Sequence, residues 1–198
     1  MNYASIRTCD IANGEGVRVS LFVSGCTHHC RGCFNEEAQA FDYGEPFTRE
    51  VEDSILTALE PGFIAGLTLL GGEPMEPENQ RVLVPFLRRF RERFGATKTL
   101  WVYTGCVWEK LSGEAESLPL QNKDGENSAL SGGRESSAPR SRDPSAPYRW
   151  RTEVTDEFLA MTDVLVDGPF VEELKDISLR FRGSSNQRIL CLKNGCVQ

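Results

Sequence analysis

Apolar residues fall into two rhythms along the chain. Val17-Arg18-Val19-Ser20-Leu21-Phe22-Val23-Ser24 alternates and then runs apolar, which predicts a strand entered from the turn Asn13-Gly14-Glu15-Gly16. Thr48 is placed to cap a helix whose inner face is Val51, Ile55 and Leu59, and Pro61-Gly62 stops it. A second strand, Gly66 to Leu70, ends in Gly71-Gly72-Glu73-Pro74. The spacing of Val82, Phe86, Phe90 and Phe94 predicts a helix in which Arg81, Arg88 and Arg91 form a solvated face. Pro85 lacks an N–H, so this helix is expected to start only a few residues before it. A strand from Lys98 to Tyr103 closes at Thr104-Gly105, and a helix starts over Val107 to Leu111. A helix near Thr155 to Met161, a strand from Asp163 to Asp167 and a last strand from Arg188 to Leu192 complete the pattern.

Strands that alternate with helices imply parallel pairing through βαβ crossovers, hence an α/β fold. Residues 112–147 break the rhythm. They are rich in Ser, Gly, Pro and Glu and carry almost no large apolar side chain. Such a stretch cannot bury enough surface to offset its ordering entropy, so a flexible insertion in one domain spanning 1–198 is expected. In parallel α/β folds ligands gather at the C-terminal ends of the strands. Here those ends carry a cysteine loop, Gly71-Gly72-Glu73-Pro74, Thr104-Gly105 and Asp167-Gly168. One site on one rim is predicted.

The formal net charge of −7 argues against nucleic acid as a partner, because phosphate contacts need clustered positive charge. No apolar run reaches the roughly 18 residues of a membrane span. Seven cysteines, an odd number, and a polar opening from Met1 to Cys9 fit a reducing cytoplasm in which thiols bind metal or stay free. Cys9, Cys106, Cys191 and Cys196 stand singly and read mostly as buried or idle thiols.

Cys26, Cys30 and Cys33 stand apart from these, in Cys26-Thr27-His28-His29-Cys30-Arg31-Gly32-Cys33. Three thiolates on one short loop can hold three irons of a cubane cluster and leave the fourth open to an outside ligand. A zinc knuckle is the competing reading, with His28 or His29 as a fourth ligand. No second ligand pair lies at the usual longer spacing, so the loop leans toward iron and sulfur without deciding it. Gly71 and Gly72 would let a ligand approach backbone atoms without a Cβ in the way, with Glu73 adding charge or fixing the loop.

The C-x-x-x-C-x-x-C loop after the first strand and the Gly-Gly-Glu-Pro motif after the second resemble the radical S-adenosylmethionine enzymes. That resemblance implies a partial (βα) barrel with mostly parallel strands. It also implies a [4Fe-4S] cluster on Cys26, Cys30 and Cys33 whose open iron chelates S-adenosylmethionine. One electron from such a cluster splits the cofactor into methionine and a 5′-deoxyadenosyl radical. Gly32, Cys33 and Phe34, then Gly71, Gly72, Glu73 and Pro74, become the cofactor contacts, with Thr104 and Asp167 as further candidates; Asp167 is equally suited to capping a turn. The family's aromatic residue before the third cysteine is replaced by Gly32, and Phe34 follows instead.

Further blocks narrow the resemblance. Val19 to Cys26, Cys33-Phe34-Asn35, Trp101-Val102-Tyr103-Thr104-Gly105, Val164 to Phe170 and Arg182-Gly183-Ser184-Ser185-Asn186-Gln187-Arg188 are similar, in order, to the activases that install a glycyl radical on anaerobic ribonucleoside-triphosphate reductase. The partners implied are that reductase and a low-potential electron donor such as flavodoxin or ferredoxin. The rivals are an activase of another glycyl-radical enzyme, a radical enzyme acting on a small heterocycle, and a non-catalytic metal-binding module.

Overall fold

The computed structural model describes residues 1–113 and 149–198, so nearly all of the expected 112–147 insertion lies outside the described residues. A single eight-stranded sheet runs in the order β3-β1-β2-β4-β5-β6-β7-β8. Its strands are β1 (Asn2–Asp10), β2 (Val17–Val23), β3 (Glu45–Pro46), β4 (Ile64–Gly71), β5 (Thr99–Tyr103), β6 (Val164–Asp167), β7 (Arg188–Lys193) and β8 (Cys196–Val197). The four central strands, β2, β4, β5 and β6, pair in parallel as the alternation predicted. Both flanks are antiparallel: β1 on β2, and β7 on β6.

Side chains alternate across a strand, and this sheet uses its two faces differently. Val19, Leu21, Val23, Leu67, Leu69, Leu100, Val102 and Leu165 have no solvent exposure and form one face. Against them pack α1 (Arg49–Ala58), α2 (Pro77–Phe94) and α4 (Thr155–Ala160), through Ile55, Leu83, Phe86, Phe90 and Phe158. Truncating a phenylalanine in such a core costs about 3–5 kcal/mol. The intervening residues form the other face: Arg18, Ser20 and Phe22, then Thr68 and Leu70, then Trp101 and Tyr103. Two loop segments cover part of it. Asn13 accepts a hydrogen bond from Thr68 Oγ1 at 2.8 Å, and Phe181 meets the Trp101 ring edge-on.

α2 begins at Pro77 and passes straight through Pro85, so it is longer than the sequence suggested. Pro85 lies on the exposed side of the helix, where water can serve the carbonyl that loses its partner. The arginines of that helix are not merely solvated. Arg81 and Arg88 pair with Glu153 and Glu157, and Arg91 reaches Asp163 at 2.6 Å beside the start of β6. No helix among the described residues is long and apolar enough to cross a membrane.

Candidate active site at the strand tips

The C-terminal ends of the four parallel strands open into a cavity of about 550 Å³. Cys26, Cys30 and Cys33 line it, with Gly71, Gly72 and Glu73 from the β4 tip and Thr104 and Gly105 from the β5 tip. Gly168, after β6, completes the rim.

The cysteine loop is held from below by backbone bonds. Gly25 and Cys26 donate to the carbonyls of Ala38 and Gln39 at 2.8 and 3.0 Å. Gly72 donates to Val23 at 2.7 Å and Glu73 to Gly25 at 2.8 Å, which locks the β2 and β4 tips together. This closeness requires glycine. At Gly72 a Cβ would lie 2.6 Å from the Gly25 carbonyl oxygen, and Gly71 adopts φ +104°. The buried start of α2 adds side-chain ties. Asn79 donates to the Ser24 and Glu73 carbonyls at 3.0 and 2.9 Å, while Glu76 accepts from the Thr27 N–H at 2.7 Å and its hydroxyl at 2.5 Å. Burial still pushes the Glu76 carboxyl above its ordinary value, against the pull of those bonds.

Glu73 is only 1% exposed, and both its oxygens are in use. Oε1 accepts from the Met75 N–H at 2.8 Å; Oε2 takes the Gly105 N–H at 2.8 Å and lies 2.8 Å from His28 Nε2. The His28 ring stacks on Trp150 at 4.5 Å, and the Cys106 thiol lies 3.7 Å from its Nε2. His29 Nδ1 instead meets Gln39 at 3.0 Å. The ring nitrogens with recorded partners therefore face Glu73 and Gln39, which disfavours a Cys3His zinc knuckle.

Burial pushes the Cys26 thiol up to about 12, with nearby Glu73 and Glu76 adding to the effect, and raises Cys30 as well. Such thiols ionise only against a compensating cation, and thiophilic iron supplies one. Three convergent soft donors with no fourth cysteine in the loop fit a cubane with one open iron. The remaining cysteines divide. Cys9, Cys191 and Cys196 are exposed and Cys106 is buried beside the cavity, so three of the four expected buried or idle thiols face solvent.

The other sequence candidates separate by position. Phe34 lines the cavity, 63% exposed, and packs on Phe170 at 5.1 Å. Gly32 (φ +67°) sits against Glu172 and is not among the lining residues. Pro74 is buried and also lies outside the lining. Thr104 lines the cavity, and its Oγ1 accepts from the Cys106 N–H at 3.0 Å. Asp167 is fully buried away from the lining; it accepts from the Trp108 N–H at 2.7 Å, at the start of α3 (Trp108–Ser112), and pairs with Arg188. Arg7, Tyr103 and Arg182 also line the cavity. Tyr103 and Arg182 fall in blocks that carried the resemblance, but sequence reasoning assigned none of the three a site role, although a strand-parity count puts Tyr103 on the face opposite the core.

The 4Fe-4S single cluster domain family matches residues 12–128 and 146–190. Anaerobic ribonucleoside-triphosphate reductase-activating protein of Pasteurella multocida is 38% identical over 96% of each chain. Proteins of the same name from Escherichia coli K12 and from phage T4 are 35% and 30% identical, covering 94% and 96% of this chain and 96% and 93% of their own. Likeness running over nearly the full length of both partners makes this chain a member of the anaerobic ribonucleoside-triphosphate reductase-activating protein family.

Proposed function

We propose that the protein is an iron–sulfur activase that uses S-adenosylmethionine to place a glycyl radical on anaerobic ribonucleoside-triphosphate reductase. The observation that carries this reading is the meeting of three cysteines with the Gly71-Gly72-Glu73 tip in one cavity. The family relatives bear the name of that activity. When bound, the cluster would supply one-electron reductive cleavage of S-adenosylmethionine, the chemistry needed to remove a hydrogen atom from a glycine of the reductase.

The chain's own residues bind, orient and shield. Cys26, Cys30 and Cys33 hold the cluster. Gly71 and Gly72 bring backbone close to the cofactor, Glu73 fixes the three strand tips in register, and Phe34 and Thr104 line its pocket. Cys33 also faces the cofactor from the cluster side, while Gly32, Pro74 and Asp167 support the same region from behind or beside it. The parallel centre of the sheet, with its open inner face, supports a partial barrel of the radical S-adenosylmethionine type. A low-potential flavodoxin or ferredoxin in the cytoplasm fits as the electron source.

Anaerobic reconstitution with iron and sulfide, followed by reduction and addition of S-adenosylmethionine, tests the reading. Formation of 5′-deoxyadenosine, and of a glycyl radical signal once reductase is added, is the expected result. Tight zinc uptake without deoxyadenosine would overturn it.

A further inference from the structure

Beyond the cysteine loop the cavity is bounded by the Arg182-to-Gln187 turn, the block whose role its sequence left open. The turn is tied to itself and to the β6 tip. Gln187 Oε1 accepts from the Gly183 and Ser184 N–H groups at 2.8 and 3.2 Å, and its Nε2 donates to the Gly168 carbonyl at 3.0 Å. Asn186 donates to the Pro169 carbonyl at 2.8 Å. A Cβ at Gly183 would sit 3.2 Å from both the Phe34 and Phe170 rings, so the turn abuts the cysteine loop directly. Arg182 is held by one arm, its Nη1 donating to the Gln187 carbonyl at 2.9 Å.

Among the described residues its buried Nε has no partner, and neither has the buried hydroxyl of Tyr103; both residues line the cavity. An unpaired buried polar group is costly, and a site that keeps two is built for something that pairs them. Charges of both signs lie near: Arg18 and Asp10 each act on Tyr103, and Arg7 acts on Asp10. Arg7 lines the same cavity. Behind the wall, Arg18 is 1% exposed, its guanidinium lies over Trp101, and its five donors go to neutral oxygens of Glu15, Leu67, Thr68 and Thr99. Glu73, the acid in the lining, has both oxygens engaged. The cavity therefore offers hydrogen-bond donors between the apolar walls of Phe22, Leu70, Leu179 and Phe181.

We propose that this wall is the substrate-recognition surface, with Tyr103 Oη and Arg182 Nε donating to main-chain carbonyls of the glycine-bearing segment of the partner polypeptide. The inference rests on the activase reading above and deepens it. Carbonyl oxygens are strong acceptors that carry no side chain of their own, and apolar walls around them favour a stretch with small residues.

The test uses the reconstituted protein and the purified reductase. Tyr103→Phe removes one oxygen to which no other described residue bonds, so folding is not at stake. Arg182→Lys keeps the charge but removes both the Nε donor and the Nη1 bond to the Gln187 carbonyl, so Tyr103→Phe is the cleaner arm. Each is expected to raise the reductase concentration for half-maximal glycyl radical about tenfold, as losing one buried hydrogen bond does. The same shift is expected in the dissociation constant of a fluorescent synthetic peptide spanning the reductase's glycine. The shift for reductase should exceed that in the S-adenosylmethionine concentration for half-maximal deoxyadenosine formation. Equal shifts, a shift in the cofactor alone, or none would overturn the assignment. Failure of the unaltered protein to form deoxyadenosine would instead sink the activase reading.

Discussion

Glu73 and His28 meet at 2.8 Å between the β4 tip and the cysteine loop, and the same carboxylate oxygen also holds the Gly105 N–H of the β5 tip. One buried side chain thus joins three strand ends at the point where the thiols converge. A carboxylate with both oxygens this committed acts as a bracket, not as a free charge for a ligand.

Glu73→Ala should therefore cost stability as well as activity. It leaves the Met75 and Gly105 N–H groups and the His28 ring without their acceptor in a buried place. The expected loss is about 2–4 kcal/mol, read from urea unfolding. A variant as stable as the parent would show that the bracket carries no strain-free alternative cost and that the tips hold themselves.

At Gly72 the limit is steric. A Cβ would come within 2.6 Å of the Gly25 carbonyl oxygen and 2.8 Å of that of Ala38, and both are backbone. Gly72→Ala should therefore move the cysteine loop, lowering reconstituted iron and destabilising the chain by about 1–3 kcal/mol. Full iron content with unchanged stability would mean that the loop yields freely.

The core face was legible because β2, β4 and β5 are short, mostly apolar runs buried almost throughout, while the buried positions of α2 recur with the period of a helix. The strand tips were legible for the same reason, since each apolar run ends in glycine or cysteine. β1 escaped notice. It lies mostly half-exposed and, apart from Tyr3 and Ile6, offers little apolar signal. Pairing direction is not written in a strand's own residues either, so the antiparallel flanks could not be read. Arg7, Tyr103 and Arg182 reach one cavity from three distant stretches, and polar residues on an inner face look locally like solvated ones.

Cys30→Ala should reduce reconstituted iron from about four atoms per chain to less than one and abolish deoxyadenosine formation, with far-UV circular dichroism unchanged. Cys106→Ser is the informative companion. Its thiol is buried beside His28, and burial raises its pKa so that it stays protonated. Iron retained in Cys106→Ser but lost in Cys30→Ala fits the three-cysteine assignment. Deoxyadenosine formed by Cys30→Ala would refute it.

Asp10 gives a pH-dependent prediction at the other end of the inner face. Burial works to raise its carboxyl, yet hydrogen bonds from Asn13 and the Ala12 N–H, with Arg7 nearby, hold it below the ordinary value. The bonds to Asn13 and Ala12 measure 2.6 and 2.9 Å and tie down the loop that covers Thr68. A carboxyl depressed in the folded state contributes stability above its unfolded pKa, about 4, and loses it as pH falls through the lower folded value. Asp10→Asn keeps one acceptor oxygen and loses the charge. It should cost about 1 kcal/mol at pH 7, and the gap should narrow below about pH 4 as the parent's carboxylate is protonated. Urea unfolding of the metal-free chains at pH 7 and pH 3 measures both gaps without acid loss of iron entering. Gaps of equal size at the two pH values would show that the carboxylate's charge contributes nothing and that the loop is held by shape alone.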